Sequence, residues 1–307
     1  MRARRVREPA GFYCKLLKGQ RPIKWPVLTH SAVSARPRKP LGFYKLGNRC
    51  ARGRSSVSHL PSVTSGRRYP RRPRRYFGSQ VQPLYRSRFS LSRGEKTYAQ
   101  QLLHDPSFYA ECGRERVTHA DLVRLLPGKW LNDEIINYYA AAIMGTREKV
   151  YIFSTFFWAK LATSGYVNGA LAKWTKKVDI FSKDTILIPI NIGNVHWAVA
   201  VINLRLKRIE VYDSAHLDHT DVFRCLREYL DHEHRNKRDS AFDFADWEDT
   251  IPLKTPTQTN NYDCGVFACQ FLRYLACSAR TLPFTQEDMP DLRQRMVLQL
   301  HDRRLLA

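Results

Sequence analysis

The distribution of charge divides this chain before any motif is considered. Residues 1–100 contain 25 Lys and Arg but only two acids, a net charge of +23. Residues 101–307 contain 26 of each sign, so the chain's whole formal charge of +23 resides in its first third. A segment with this much repulsion and no sustained apolar periodicity cannot bury enough surface to offset its ordering entropy. We therefore expect residues 1–95 to be a disordered basic segment and residues 96–307 to form one folded domain.

The basic segment is densest between Arg67 and Arg75, where six of nine residues are Arg. Such a run is typical of nuclear-localisation signals and of nucleic-acid-binding patches. No aromatic platform or recognition helix accompanies it, so we favour nuclear import and a nuclear location over sequence-specific nucleic-acid binding. Two alternatives stay open, which are nonspecific attraction to nucleic acid and an organellar transit peptide.

The sequence does not indicate a membrane protein, a disulfide framework or a metal site. No apolar run reaches the roughly 20 residues that cross a bilayer, and no apolar core follows the basic amino terminus, so we expect no membrane partner and no secretory signal. The seven cysteines are odd in number and lack paired C-x-x-C spacing, which argues against a disulfide framework. Four histidines flank Cys225 without zinc spacing, so we expect surface histidines and no metal; they are His216, His219, His232 and His234.

Hydrophobic periodicity predicts the regular elements of the expected domain. Asn132, followed by two acids and an apolar stripe from Ile135, predicts a capped helix. The nearly continuous apolar run at 184–190 predicts a strand in a sheet that is covered on both faces. Further strands are predicted at 196–204 and 208–212, joined by a turn at 206–207. Helices are predicted at 97–109, 118–122, 220–232, 265–276 and 289–305, which together indicate a mixed α/β or α+β domain.

Three side chains suggest nucleophilic catalysis. Cys264 directly precedes an apolar helical run, and a helix start stabilises a thiolate. His196 begins a strand and Asp213 follows the next strand, and adjacent strands lie about 4.8 Å apart, within reach of an imidazole–carboxylate hydrogen bond. His196 would then be the base and Asp213 the residue that orients it. Gln258 and the backbone N–H of Cys264 are candidate donors to an oxyanion.

Each of these residues also has an ordinary structural interpretation. A cysteine before an apolar helix is usually a small core residue, and a histidine beside a tryptophan on a strand is more often structural. An Asp-Ser pair after a strand is most often a turn. The functional interpretation is favoured because all four residues occur in one chain. The structural interpretation would have to be true of each of them at the same time.

The chain resembles the SUMO-specific cysteine proteases of the Ulp/SENP (sentrin-specific protease) family from about Glu115 to its end. The segments that carry the resemblance are 130–137, 174–179, 196–197, 212–214, 258–265 and 284–290. It implies a papain-like cysteine protease fold of the Ulp/adenain type, α+β with a central mixed sheet flanked by helices. It further implies a monomeric enzyme without a cofactor that cleaves after the terminal Gly-Gly of SUMO, both in precursors and on lysines of target proteins.

The same resemblance implies a role for each matching residue. Cys264 would be the nucleophile, His196 the base, Asp213 its orienting partner, and Gln258 part of the oxyanion hole. The remaining matches concern substrate binding: Trp130 and Trp197 as walls of a tunnel for the Gly-Gly tail, Asp133 as a partner of a SUMO arginine, and Phe156 and Lys173 on the SUMO-binding face. Relatives often have Arg at the position of Lys173, which weakens the expectation of a bidentate contact there.

Two other functions remain open at this stage. The chain could be a nucleic-acid-binding protein whose protease-like domain only binds SUMO, although the intact set of Gln, His, Asp and Cys argues against an inactive enzyme. Alternatively, the same chemistry could act on ubiquitin or on a Nedd-type modifier.

Overall fold

The computed structural model describes residues 87–166 and 171–303. Most of the expected basic segment, including Arg67–Arg75, lies outside these residues. The helices are α1 (Arg93–His104), α2 (His119–Leu122), α3 (Asp133–Met144), α4 (Thr155–Ser164), α5 (Thr220–Arg238), α6 (Cys264–Ala276) and α7 (Met289–Asp302). The strands are β1 (Tyr109–Cys112), β2 (Glu115–Thr118), β3 (Val150–Ile152), β4 (Thr185–Ile192), β5 (His196–Asn203), β6 (Arg208–Tyr212) and β7 (Glu248–Thr250).

A five-stranded mixed sheet in the order β3-β4-β5-β6-β7 forms the centre of the domain. The three middle strands pair antiparallel, whereas β3 and β7 pair parallel with their neighbours at the two edges. Strands β1 and β2 form a separate antiparallel pair. The α+β class with a central mixed sheet flanked by helices is therefore confirmed. The sequence did not predict β1, β2 or β7, because these short, largely polar segments show no clear alternation.

Both faces of the central sheet are covered, as the apolar run of β4 predicted. Ile186 and Ile188 are fully buried in a cluster that includes residues of α4 and α5. Leu187, between them, is buried on the other face, in a cluster that includes residues of α3, α6 and α7. Successive side chains of a strand point to opposite faces, so a strand covered on both sides must be apolar at every position. None of the helices in the described residues is long and apolar enough to span a membrane.

The folded domain begins earlier than the expected boundary at residue 96. Ser92 caps α1 by accepting a hydrogen bond from the backbone N–H of Glu95, and the Glu95 carboxylate accepts one from the backbone N–H of Ser92 in return. Phe89 and Leu91 are buried in the core, and the Ser87 hydroxyl donates to Asp288 at 2.6 Å. The boundary at 96 thus lies inside α1, because an average over basic residues concealed a short apolar and capping pattern.

Local capping signals fix the other helices near the site. The Asn132 side chain accepts a hydrogen bond from the backbone N–H of Ile135 at 3.4 Å and begins α3, as predicted. The capping box between Thr118 and Asp121 begins α2, also as predicted. The helix predicted at 97–109 instead ends at His104, because Asp105 precedes a proline and such residues disfavour helical geometry.

Candidate active site

Cys264 is the first residue of α6, and its side chain is buried. The carbonyl of Asp263 accepts hydrogen bonds from the backbone N–H groups of Val266 and Phe267, at 2.8 and 3.0 Å. The thiol therefore lies where the free N–H groups and the helix dipole favour a negative charge.

The next residue, Gly265, allows this helix start to approach the segment before α3. A Cβ atom added to Gly265 would lie 2.8 Å from the Cβ of Leu131 and 3.0 Å from its Cγ. Contacts this short do not occur between ordinary side chains, so the close approach requires glycine. Because Leu131 follows Trp130, this contact brings the cysteine against one wall of the cleft described below.

A buried ion pair holds the turn before Cys264. The Arg293 side chain of α7 donates from Nε to Asp263 Oδ1 at 2.8 Å, and both side chains are nearly fully buried. The remaining guanidinium N–H groups donate to four backbone carbonyls, those of Arg124, Leu126, Lys129 and Tyr262. One side chain therefore joins α7, the segment that leads into α3, and the loop of the nucleophile.

His196 and Asp213 meet at one end of the sheet, as expected. Strands β5 and β6 pair antiparallel up to Val199 and Tyr212, so Asp213 lies just beyond the last pair, diagonal to His196. The distance between His196 Nε2 and Asp213 Oδ1 is 2.5 Å, and both side chains are buried. A carboxylate only accepts hydrogen bonds, so Nε2 carries the proton and Nδ1 keeps its lone pair. Nδ1 is buried and makes no hydrogen bond with the described residues, so it is the ring atom free to take a thiol proton.

The electrostatics of this pair favour a protonated imidazole. Burial alone would lower the pKa of His196, but the hydrogen bond to Asp213 and the interaction with the Cys264 thiol raise it to about 9. Burial likewise acts to raise the pKa of Asp213, but hydrogen bonds from His196 and His219 hold it well below its usual value. Asp213 thus remains a carboxylate, and His196 can hold the proton that it takes from Cys264.

His219 contradicts its assignment as a surface histidine. It is 2% exposed, and its Nε2 lies 2.9 Å from Asp213 Oδ2. Cys225 is buried as well, whereas His216 and His232 are exposed. The contact of His219 arises from an irregular loop, so hydrophobic periodicity gave no signal for it. No group of three or more potential metal ligands occurs in the described ranges.

Gln258 is held in place by the residue that follows Asp213. Its side-chain Oε1 accepts a hydrogen bond from the Ser214 hydroxyl at 2.6 Å, and its backbone N–H donates to the Ser214 carbonyl at 2.9 Å. One N–H of its side-chain amide donates to the Asn260 carbonyl at 2.7 Å. An amide nitrogen carries two protons, so a second donor remains for an oxyanion.

A cavity of about 180 Å³ opens at Cys264. Trp197 is buried, and its indole N–H donates to the Leu131 carbonyl at 3.1 Å, whereas Trp130 is 41% exposed. The structure thus brings Trp130, Trp197, Asp133 and Cys264 together, as the sequence predicted. The full lining consists of Arg124, Trp130, Leu131, Asn132, Asp133, Asn191, Asn194, Val195, Trp197 and Cys264.

Two of the predicted substrate-binding residues do not line this cavity. Phe156 is the second residue of α4 and is 56% exposed. Lys173 lies in a turn between α4 and β4 and is exposed. The SUMO-binding role of both residues stays a prediction.

A thiol at a helix start, an imidazole locked to a carboxylate, and an amide donor beside them define the site of a cysteine hydrolase. Residues 129–306, more than half of the chain, match the Ulp1 protease family, C-terminal catalytic domain. The chain belongs to this family, which confirms the resemblance seen in the sequence.

Individual relatives agree with this assignment. The chain is 41% identical over 199 residues to a sentrin-specific protease of Caenorhabditis elegans, which covers 62% of this chain and 28% of the relative. It is 34% identical over 221 residues to Homo sapiens sentrin-specific protease 2, which covers 69% of this chain and 37% of that protein. The match therefore spans well under half the length of these relatives.

Solved structures share the fold. The C-terminal Ulp1 protease domain, determined in complex with Smt3, the yeast ortholog of SUMO, superposes with a TM-score of 0.61 at 26% identity. The superposition covers 70% of this chain and 96% of that domain. The Ulp1-like SUMO protease catalytic domain of Chaetomium thermophilum gives a TM-score of 0.62 at 25% identity, covering 71% of this chain and 92% of that one. The expected Ulp-type architecture is thus confirmed.

Proposed function

We propose that this chain is a SUMO-specific cysteine protease that cleaves after the terminal Gly-Gly of SUMO. It would mature SUMO precursors and release SUMO from lysine side chains of target proteins. The observation that carries the proposal is the position of Cys264 in the narrow cavity lined by Trp130 and Trp197, on the fold of a family whose yeast member was solved with a SUMO protein.

The first half of the reaction forms a thioester. His196 Nδ1 takes the proton of Cys264, and the thiolate attacks the carbonyl carbon of the terminal glycine. The carbonyl electrons move to oxygen, where the backbone N–H of Cys264 and the free N–H of Gln258 stabilise the negative charge. When the intermediate collapses, the C–N bond breaks, and the departing amine takes the proton from His196.

The second half releases the product. A water molecule gives a proton to His196, and its oxygen attacks the thioester carbon. The C–S bond of the tetrahedral intermediate then breaks, and the departing sulfur takes the proton back from His196. This regenerates the Cys264 thiol and releases the SUMO carboxylic acid, which ionises in water. Asp213 keeps the imidazole in the tautomer that accepts at Nδ1 and stabilises its protonated form in both halves.

The walls of the cavity supply the selectivity for glycine. Two indole side chains beside a space of about 180 Å³ would accommodate the extended backbone of glycine and disfavour residues with larger side chains. Asp133, at the same cavity, offers a carboxylate for an arginine of the modifier. The nucleophile, the base and the oxyanion donors of this mechanism all come from a single copy of the chain.

Parallel assays with fluorogenic SUMO, ubiquitin and Nedd-type substrates test the proposal. We expect cleavage of the SUMO substrate, loss of cleavage with retained SUMO binding in Cys264→Ser, and full activity in Cys277→Ser, which removes an exposed thiol outside the cavity. A SUMO vinyl-sulfone probe should form an adduct at Cys264. Cleavage by the Cys264→Ser variant, or a preference for another modifier, would refute the proposal; binding without an adduct would indicate a protein that only binds SUMO.

We further propose that the basic segment directs the protein to the nucleus through an import receptor. Its support is the net charge of +23 in the first hundred residues and the Arg-rich run at 67–75. Residues 1–95 fused to a fluorescent protein should accumulate in nuclei. Replacing Arg71, Arg72, Arg74 and Arg75 by Ala should abolish this, and replacing Arg2, Arg4, Arg5 and Arg7 should not. Accumulation in mitochondria would contradict the proposal. Nuclear accumulation that persists when the import receptor is blocked would also contradict it, and would indicate retention by nucleic acid alone.

A further inference from the structure

The carboxylate of Asp213 accepts four hydrogen bonds, arranged symmetrically on its two oxygens. Oδ1 accepts from His196 Nε2 at 2.5 Å and from the backbone N–H of Ala215 at 2.8 Å. Oδ2 accepts from His219 Nε2 at 2.9 Å and from the backbone N–H of Leu217 at 3.0 Å. Each oxygen thus has one imidazole donor and one backbone donor.

The four donors come from two different elements. His196 belongs to β5, whereas the other three come from the loop 214–219, which wraps back around the carboxylate before α5 begins. His219 occupies the N-cap position of α5, but its side chain makes no capping hydrogen bond to the helix. Its Nε2 instead donates to Asp213, and because a carboxylate only accepts, that nitrogen must carry a proton.

We propose that His219 is a positioning residue for the reaction: its Nε2–H fixes Oδ2 of Asp213, so that Oδ1 stays directed at His196. This inference rests on the proposed cysteine protease function. His219 is not among the residues that line the cavity, and its side-chain hydrogen bond goes to the carboxylate, so we expect it to act through Asp213.

The physical reason lies in the freedom of a buried carboxylate. Asp213 has two side-chain torsions, and its terminal torsion is broad and roughly two-fold. Without the donor from His219, Oδ2 would be buried with a single backbone partner, and rotation of the group toward a better set of donors would carry Oδ1 away from His196. The titratable groups that bear on this pair are His219 and His196 at Asp213, and Cys264 on the other side of the imidazole.

The consequence is a narrower pH range for the thiolate–imidazolium pair when His219 is removed. A weaker hydrogen bond between Asp213 and His196 makes the imidazolium easier to deprotonate. The loss of kcat/KM on the alkaline side should therefore begin at a lower pH. The same change makes the thiol harder to ionise, so the midpoint for its reaction with an alkylating reagent rises. A substitution that only reduced the fraction of folded protein would lower kcat/KM at every pH. It would shift neither the alkaline limb of the pH profile nor the midpoint of alkylation.

The experiment compares His219→Leu, which removes the donor at similar volume, with His219→Gln, which retains an N–H donor. His232→Leu is the matched control, because His232 is an exposed histidine of α5. In His219→Leu we expect kcat to fall about 10- to 100-fold with KM unchanged, since neither His219 nor Asp213 lines the cavity. We expect His219→Gln to restore most of the activity and His232→Leu to behave as wild type.

Alkylation of Cys264 by iodoacetamide, followed by mass spectrometry across pH, separates this inference from the proposed function. It reports the ion pair without any SUMO substrate, so a wild-type chain that fails to cleave SUMO would refute the function and leave the His219 effect measurable. A midpoint that rises in His219→Leu supports the inference. An unchanged midpoint would overturn the inference. A lower midpoint would also overturn it, because it would mean that His219 competes with His196 for the carboxylate of Asp213. If His219→Leu does not fold, His219→Asn takes its place, because the shorter amide cannot reach Oδ2 and should give the same shift.

Discussion

The two sides of the site are held by different forces. On the sheet side, His196 and Asp213 are fixed by directional hydrogen bonds, with every acceptor position of the carboxylate used. On the helix side, Cys264 is fixed by close packing of Gly265 on Leu131 and by the buried pair of Asp263 with Arg293. On the side that handles the proton, the polar contacts are therefore made to the reacting groups themselves. On the side that carries the nucleophile, close packing and an ion pair act on the residues next to the thiol.

This difference predicts different consequences of substitution. Changes on the sheet side should alter the chemistry and its pH dependence, because a hydrogen bond sets the tautomer and the pKa of an imidazole. Changes on the helix side should mainly alter the free energy of unfolding, because overpacking and unpaired buried charges act on the whole fold. Activity and thermal stability measured on the same variants test whether the two sides separate in this way.

The largest effect is expected for Asp213→Asn on the sheet side. An amide of the same shape cannot hold the imidazole in the accepting tautomer, so kcat/KM should fall by about 10³- to 10⁴-fold. The raised pKa of His196 should fall from about 9, because the carboxylate that stabilises its protonated form is gone. The imidazolium is then lost at lower pH, so any residual activity should decline earlier as the pH rises. A loss of kcat/KM below tenfold, with no shift of its pH profile on the alkaline side, would contradict the distinction between the two sides.

Arg293→Met tests the helix side. Removing the guanidinium leaves the Asp263 carboxylate buried without its charged partner, which costs about 3–5 kcal/mol of unfolding free energy. At roughly 2–4 °C per kcal/mol, the Tm should fall by about 6–20 °C, while the pH limbs of the remaining folded enzyme stay in place.

The matched control for Arg293→Met is Arg224→Met on α5. Arg224 pairs with Asp221 and Glu228 at 3.3 and 3.1 Å, but its side chain is 53% exposed. Exposed pairs contribute about 0–1 kcal/mol, so this variant should unfold within a few degrees of wild type. Equal losses of stability in the two variants would contradict the role assigned to burial.

The sequence predicted the reacting residues of both sides but not the contacts that support them. Cys264, His196 and Asp213 could be found because each adjoins a regular element with a clear apolar pattern. His219 could not, since an irregular loop with a positive φ at His216 turns it back onto the carboxylate. Arg293 gave no signal either, because an arginine in a helix usually indicates a solvated face.

The same limit applies to elements that form only through their neighbours. Strand β7 is polar and exposed over most of its length, and it becomes a strand because the edge of β6 offers a parallel partner. The net charge places residues 87–95 in the basic segment, although Phe89 and Leu91 within them are buried in the core. Local sequence patterns therefore predicted the elements with a periodic apolar face. Elements such as β7 form through tertiary contacts that those patterns do not contain.

Gly265→Ala should have a smaller but measurable effect on the helix side. The new Cβ would lie 2.8 Å from the Cβ of Leu131, so either the start of α6 or the wall of the cavity must shift, at a cost of about 1–3 kcal/mol. We expect a lower Tm together with a reduced kcat/KM, since the shift moves the thiol relative to the tryptophans. Gly94→Ala in α1 is the control, because its Cβ would meet nothing within 4 Å and alanine favours a helix. A Gly265→Ala variant as stable as Gly94→Ala would show that the close contact is not a constraint.

The smallest effect is expected for Ser92→Ala, which lies on the helix side but away from the site. The Ser92 hydroxyl caps α1 by accepting from the backbone N–H of Glu95 at 3.3 Å, and losing such a cap costs about 0.5–2 kcal/mol. The Tm should fall by a few degrees while kcat/KM per folded molecule stays unchanged, because α1 packs against α7 rather than against the cavity. Thr97→Ala, an exposed change in the same helix, should leave the Tm nearly unchanged or slightly higher, since alanine is the better helix former. Equal Tm values for Ser92→Ala and wild type would mean that the capping box contributes nothing to the stability of α1.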